Sequence, residues 1–460
     1  MTYVTENAIW GLQAVRVLRR RSTNHANLQG YLPRGSTTGS ERKKSWGLRL
    51  WSRRLAPAAV EISGMVPETV PLDFSERPYI VIWEVTQACD LACVHCRACA
   101  QPKRNPFELS TEEGKRLIDE IAEMQAPVFV LTGGDPIKRP DLFELIQYAT
   151  QSGVRVSLTP SATPLLTREV IQRLKQCGLA RLAVSLDGSC REVHDAFRGM
   201  SGSFDRTMEA IEWANTIGLP VQINTTFSRR NAKDFEKIAH LVESKNIVLW
   251  SVFFLVPTGR GRLDDLLSAE EFEAIFARLY ELSRRAQFHI KTTEAQHYRR
   301  YVLQQQVAER QNGRASVPNA AEKVIDTIGR APRGLNDGKG FVFISHLGEV
   351  FPSGFLPLSA GNVRTESLSA IYRESPIFQQ LRDPSQLAGK CGACEFKHVC
   401  GGSRARAYAL MGDPLAEEPC CSYVPKNYER SAPTAETFAM AAVTQEVAGA
   451  EGLILKPAGQ

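Results

Sequence analysis

Residues 79–96 read Tyr79-Ile80-Val81-Ile82-Trp83-Glu84-Val85-Thr86-Gln87-Ala88-Cys89-Asp90-Leu91-Ala92-Cys93-Val94-His95-Cys96. A β-branched and aromatic run ends in three cysteines spaced C-x3-C-x2-C. The run, Tyr79 to Val85, predicts a buried strand, and the cysteines fall in the loop just beyond it. Thiolates this close together predict a metal or an iron–sulfur cluster. Three of them on a four-iron cube would leave one iron open to another ligand. Two other readings stay open on spacing alone. Cys99 would complete a tetrahedral zinc site, and Cys93-x2-Cys96-x2-Cys99 begins like a ferredoxin motif but lacks the closing Cys-Pro.

Outward from this stretch the pattern becomes strand, loop, helix, repeated. Further strands are expected at 128–132, 154–159, 181–186, 221–226 and 248–256. Helices lie between them, opened by capping boxes at Ser110/Glu113 and Ser268/Glu271 and ended near Gly153, Gly178 and Gly218. Six such units predict parallel strands with right-handed crossovers. The fold class expected is α/β, a partial (β/α)6 TIM-like barrel with a small Cys-rich C-terminal domain. Reactive groups in such barrels sit at the C-terminal ends of the strands, which is where the cysteines fall. The expected domains are a basic extension at 1–70, a core barrel at 75–300, a linker at 301–335, a C-terminal domain at 336–428 and a loose tail at 429–460.

With 460 residues, 43% of them apolar, the chain can bury a sizeable core. No run of about 18 apolar residues predicts a membrane span. Net charge is +6, but residues 1–60 alone carry eleven Lys/Arg against two Glu. Without them the chain is slightly acidic, so nucleic-acid binding by the folded body is not expected. The twin arginines near position 20 lack an apolar segment behind them, so an export signal is not expected. A start of translation at Met65 is one expectation for this segment, and an amphipathic surface arm around Trp46, Leu48, Leu50 and Trp51 is the other. Eleven cysteines, mostly in two clusters, read as metal ligation in a reducing cytoplasm.

A second motif follows the second strand: Thr132-Gly133-Gly134-Asp135-Pro136. Two glycines allow close backbone approach to a ligand, and the Asp offers an anion. The fourth strand ends Ser185-Leu186-Asp187-Gly188, with Ser185 and Asp187 on one face. Asn224 and the Pro257–Gly261 turn are weaker candidates for the same pocket. The C-terminal region supplies Cys391-x2-Cys394-x5-Cys400, then Cys420 and Cys421, enough for a second cluster or a structural zinc.

With its C-x3-C-x2-C loop and Gly-Gly-Asp-Pro turn, the chain resembles the radical S-adenosylmethionine (radical SAM) enzymes. The resemblance implies that Cys89, Cys93 and Cys96 hold a [4Fe–4S] cluster whose open iron chelates S-adenosylmethionine. It implies that Gly133, Gly134 and Asp135 hold the methionine end of the cofactor, that Ser185, Asp187 and Asn224 face its ribose and carboxylate, and that His95 packs beside the adenosyl group. The C-terminal cysteines are similar to SPASM/twitch extensions, implying one auxiliary [4Fe–4S] cluster on Cys391, Cys394, Cys400 and Cys421, with Cys420 as the alternative fourth ligand. The segments Thr292–Arg299, Gly348–Phe355 and Cys400–Tyr408 resemble radical SAM proteins of haem biosynthesis, of the haem b synthase kind. That implies a porphyrin substrate whose propionates pair with Arg299, Arg404 and Arg406, with His297 near the iron, and an electron donor such as flavodoxin or ferredoxin. Two alternatives stand beside it: a radical SAM/SPASM peptide maturase, and a non-enzymatic protein stapled by zinc or a cluster.

Overall fold

The computed structural model describes residues 73–312, 334–426 and 428. The basic extension, the possible start at Met65 and the loose tail lie outside these residues. The described residues belong to one compact unit. Its centre is a single sheet of ten strands: β1 (Ile80–Glu84), β2 (Val128–Thr132), β3 (Val156–Leu158), β4 (Arg181–Ser185), β5 (Val221–Phe227), β6 (Leu249–Phe254), β7 (His289–Thr293), β8 (Phe341–Ile344), β9 (Glu349–Phe351) and β10 (Gly361–Asn362). Their order is 10-9-8-1-2-3-4-5-6-7. All pairs from β8 through β1 to β7 are parallel, and only the β8–β9–β10 corner is antiparallel.

The six expected strands are all present. Two more parallel strands flank them. β7 reads His-Ile-Lys-Thr-Thr, too polar for its period to show, and pairs with β6. β8 comes from the expected C-terminal domain and pairs with β1 (Ile82↔Phe343), so that region continues the barrel sheet.

Helices cover the outer face. They are α1 (Thr111–Glu123), α2 (Leu142–Gln151), α3 (Arg168–Gln176), α4 (Arg191–Arg198), α5 (Ser203–Thr216), α6 (Phe235–Glu243), α7 (Ala269–Arg285) and α8 (Tyr298–Gln311). Both capping boxes form, at Ser110/Glu113 opening α1 and Ser268/Glu271 opening α7. α8 occupies the first part of the stretch expected as an irregular linker. Beyond β10 come α9 (Leu368–Glu374), α10 (Pro376–Arg382), α11 (Gly389–Ala393) and α12 (Arg404–Met411). No described helix is long and apolar enough to cross a membrane.

The alternation of strand residues decides what each face does. In β5, Val221, Ile223 and Phe227 are buried in the large core beneath the helices, while Gln222, Asn224 and Thr226 turn to the lumen. One register shift would exchange the two sets.

Candidate active site

Two adjoining cavities occupy the C-terminal end and interior of the barrel. The upper one, about 200 Å³, is lined by Cys89, Cys93, Cys96, His95, Gly133, Gly134, Ser185 and Asn224, among others. All three cysteines are free thiols in this structure, and they converge on one cavity. Cys99 is exposed, has a left-handed backbone (φ 47°) and does not line it.

The cysteine loop is clamped from both sides by glycines. A Cβ on Gly134 would stand 2.5 Å from the carbonyls of Gln87 and Ala88. One on Gly259, in the Pro257–Gly261 turn, would stand 2.3 Å from the Arg97 carbonyl. The close approach the sequence predicted at Gly133-Gly134 is therefore made first to the chain itself. Gly134 N donates to Thr86 O at 2.8 Å and Arg260 N to Cys96 O at 2.9 Å. The sulfurs receive backbone donors, Leu91 N to Cys89 Sγ at 3.3 Å and Ala100 N to Cys96 Sγ at 3.5 Å. Such bonds favour the thiolate that a cluster requires. Burial, more than any neighbouring charge, pushes the Cys89 and Cys93 thiols up; the Ser161 hydrogen bond opposes it at Cys89 and the Arg198 guanidinium at Cys93.

Asp135 and Asp187 stand differently from expectation. The Asp135 carboxylate is fully buried and accepts from Ile137 N (3.2 Å), Ser161 N (3.3 Å) and Thr163 Oγ1 (2.9 Å). It does not face the cavity. Burial raises its pKa to about 6. Its partner Ser161 does face the cavity, donates to Gly134 O at 2.9 Å and lies 3.4 Å from Cys89 Sγ. Asp187 is likewise interior, accepting from Thr226 N at 2.7 Å and from Arg198 at 3.3 Å. Burial pushes its carboxyl up, against the pull of Arg198. Arg198 reaches the cavity instead, and sequence gave no sign of it. Ser161 sits just past β3, where the strand-end rule could have found it. His95 packs on Phe197 with centroids 4.5 Å apart; burial, then Arg198, hold its imidazole neutral, and its Nδ1 is buried without a partner.

The lower cavity, about 210 Å³, is the barrel lumen and shares Arg97, Thr132, Thr159, Asn224, Phe253 and Phe355 with the upper one. Arg97, next to Cys96, pairs with buried Glu84 at 2.7 Å and lies over the Phe343 ring at 4.4 Å.

The C-terminal cysteines form a separate place. Cys391, Cys394, Cys400 and Cys421 line a small cavity with His297, Arg300 and Lys390. Their sulfurs accept from Glu418 N (3.2 Å), Phe396 N (3.4 Å) and Gly402 N (3.4 Å) at Cys391, Cys394 and Cys400. Cys420 turns away into the main core, its thiol 3.8 Å from Leu267 O. Burial pushes the Cys400 thiol up to about 12, a cost that a bound metal would remove. Among the described residues, no three His, Cys, Asp or Glu side chains close on a single metal ion. A cluster instead spreads its ligands over separate irons.

None of the four expected substrate residues reaches the lumen. Arg404 is buried and donates to Pro414 O (2.9 Å) and Ala416 O (2.6 Å). Arg406 is buried against Glu418 at 3.3 Å and the Glu294 carbonyl. Arg299 donates to Val399 O (3.1 Å) and Leu335 O (2.6 Å). His297 is wedged between Phe272 and Phe276, with both ring nitrogens buried and unpartnered. The chain leaves the lumen after β7, so its motif residues brace the C-terminal cysteines instead.

The stretch that carries this cysteine triad, residues 83–242, matches the radical SAM superfamily model. An AdoMet-dependent heme synthase of Methanosarcina barkeri is 43% identical over 76% of this chain and 98% of its own. The chain is a radical SAM enzyme. A second AdoMet-dependent heme synthase, of Nitratidesulfovibrio vulgaris, is also 43% identical, over 77% of this chain and 95% of its own. Streptococcus suis SuiB bound to S-adenosylmethionine shares the fold, with a TM-score of 0.58 at 14% identity, over 76% of this chain and 78% of that one. The cofactors of a radical SAM enzyme are a [4Fe–4S] cluster and S-adenosylmethionine, and the C-terminal cysteines fit an auxiliary cluster.

Proposed function

We propose that this radical SAM enzyme acts in haem biosynthesis, converting propionate side chains of an iron porphyrin to vinyl groups. Each conversion removes one hydrogen atom from the propionate carbon next to the ring, one electron and carbon dioxide, leaving the double bond. The bound cluster and S-adenosylmethionine supply the 5′-deoxyadenosyl radical that takes the hydrogen. The chain's own residues position and shield that chemistry. Cys89, Cys93 and Cys96 are the ligands in this reading. The Gly133-Gly134 backbone and Ser185 border the cofactor cavity, His95 lines it with Phe197 packed behind, and Arg198 supplies positive charge there. Asp135 acts as a positioning residue by fixing Ser161. Cys391, Cys394, Cys400 and Cys421 hold the auxiliary cluster.

The observation that carries the reading is the 43% identity across 98% of a relative named for haem synthesis. The lumen supports it, because it opens directly onto the cofactor cavity and has room for part of a substrate. A cytoplasmic setting and a donor such as flavodoxin or ferredoxin belong to the same reading. The test is anaerobic incubation of reconstituted protein with S-adenosylmethionine, a reductant and iron coproporphyrin III. Mass spectrometry should show the porphyrin losing carbon dioxide and two hydrogens per reacted propionate, with 5′-deoxyadenosine rising in step. A mycofactocin maturase of Mycobacterium tuberculosis is 32% identical over 75% of this chain. Product formed only with a peptide, and an unchanged porphyrin, would move the assignment to peptide maturation.

A further inference from the structure

The lumen has two unlike walls. On β8, β1 and β2 the lumen-lining positions are Phe341, Phe343, Ile80, Ile82, Val128 and Val130, apolar except for Thr132 at the cofactor end of β2. On β5, β6 and β7 they are mostly polar, Gln222, Asn224, Ser251, Lys291 and Thr293, with Leu249 and Phe253 of β6 between them. The polar groups there already bond among themselves, Gln222 Nε2 to Asn224 Oδ1 at 2.7 Å and Ser251 Oγ to Thr293 Oγ1 at 3.5 Å. Lys291 is the exception. Among the described residues its ammonium forms no ion pair and no side-chain hydrogen bond. The charges that act on it are mostly of its own sign, Arg299 and Arg181, and burial with these holds its pKa down at about 8. Glu294, the one acid that acts on it, has its own carboxyl pushed well above the usual range by burial and by Asp337, so it supplies little counter-charge. An interior ammonium without an anion is costly, and nothing in the packing of β7 calls for one.

We propose that Lys291 anchors a substrate carboxylate inside the barrel, setting an amphipathic acid with its apolar body on the β8–β1–β2 wall. This rests on the porphyrin reading above, where the carboxylate is a propionate that is not reacting. A lumen of about 210 Å³ is small beside the ~300–1,000 Å³ of a typical ligand pocket. It therefore takes an edge of the substrate and not the whole. Lys291 then selects which edge faces the cofactor cavity, because the anchored carboxylate and the reacting one lie on the same rigid ring.

The test is an anaerobic Soret titration with iron coproporphyrin III, and with its tetramethyl ester, on wild type, Lys291→Met, Lys291→Arg and Lys291→Gln. Iron content and far-ultraviolet circular dichroism check that each variant is folded and loaded. Lys291→Met and Lys291→Gln should weaken binding of the acid by at least about tenfold, and Lys291→Arg should retain most of it. The ester should bind wild type and Lys291→Met alike. Equal acid binding by wild type and both neutral variants overturns the anchor while leaving the porphyrin reading intact. If a neutral variant misfolds, equal binding of acid and ester by wild type overturns the anchor instead. Failure of wild type to bind iron coproporphyrin at all removes the porphyrin reading, and the anchor with it.

Discussion

The two cysteine sites differ in what surrounds them. Three sulfurs near position 90 border a cavity of about 200 Å³ that continues into the lumen; four sulfurs in the C-terminal region enclose about 20 Å³. The sulfurs themselves are treated alike, each site giving backbone N–H donors to most of them. Ligand count and free room thus change together. A site one sulfur short of filling a cube has space for a second ligand, and a site with all four has none. On the proposed assignment, the first does chemistry on a bound molecule, whereas the second exchanges only electrons with what lies outside it.

The largest expected effect comes from breaking the open site. Cys89→Ala should abolish reductive cleavage of S-adenosylmethionine, measured as 5′-deoxyadenosine by chromatography. Iron in reconstituted protein should fall by about four per chain, leaving the C-terminal cluster in place. Retained cleavage would mean that the open site is not the cofactor's.

The closed site is sharpened by a neighbouring pair. Cys421→Ala removes a sulfur from the enclosed cavity, so iron should again fall by about four per chain while porphyrin-independent cleavage continues. Cys420→Ala should keep full iron content and cost only about 1 kcal/mol in denaturant unfolding, since its thiol is packed in the apolar core. The reverse outcome would exchange the two residues' roles.

Sequence alone carried the architecture because its signals were local. Apolar runs, capping boxes and three helix-ending glycines lie within a few residues of what they specify. β7 and β8 were hidden for opposite reasons. Lys291 and Thr293 make β7 look like a polar loop, because its inward face meets a polar lumen. Phe341–Ile344 reads as a strand but gives no hint of its partner β1, some 260 residues earlier. The two cysteine clusters were legible by spacing; position put Cys421 ahead of Cys420 as the expected ligand, and it is Cys421 that lines the C-terminal cavity. Side-chain direction was not legible. Asp135, Arg404 and Arg406 stand in motifs that look outward to ligands, yet each is buried on protein partners. Arg198 and Lys291 stand in no motif and face the cavities.

The smallest expected effect tests the most consequential of these reversals. If Asp135 met the cofactor's ammonium, Asp135→Asn would sharply weaken S-adenosylmethionine binding. The structure predicts otherwise. Asn keeps the oxygen that accepts from Ile137 N and Ser161 N, and the Thr163 hydroxyl can turn to accept from the new amide. Cofactor binding by calorimetry should change by no more than about threefold, as for one exchanged neutral hydrogen bond. Stability carries a clearer signature. The carboxyl is held up at about 6 in the folded chain against ~3.9 when unfolded. Between those values the folded state holds a proton that the unfolded state has released, so wild type loses stability as pH rises through that window. The asparagine variant has no such proton. Its stability relative to wild type should therefore improve by about 2–3 kcal/mol between pH 4 and pH 6–7, read from anaerobic urea unfolding. A flat difference across that range would place the carboxylate in solvent or on a ligand and restore the expectation drawn from the motif.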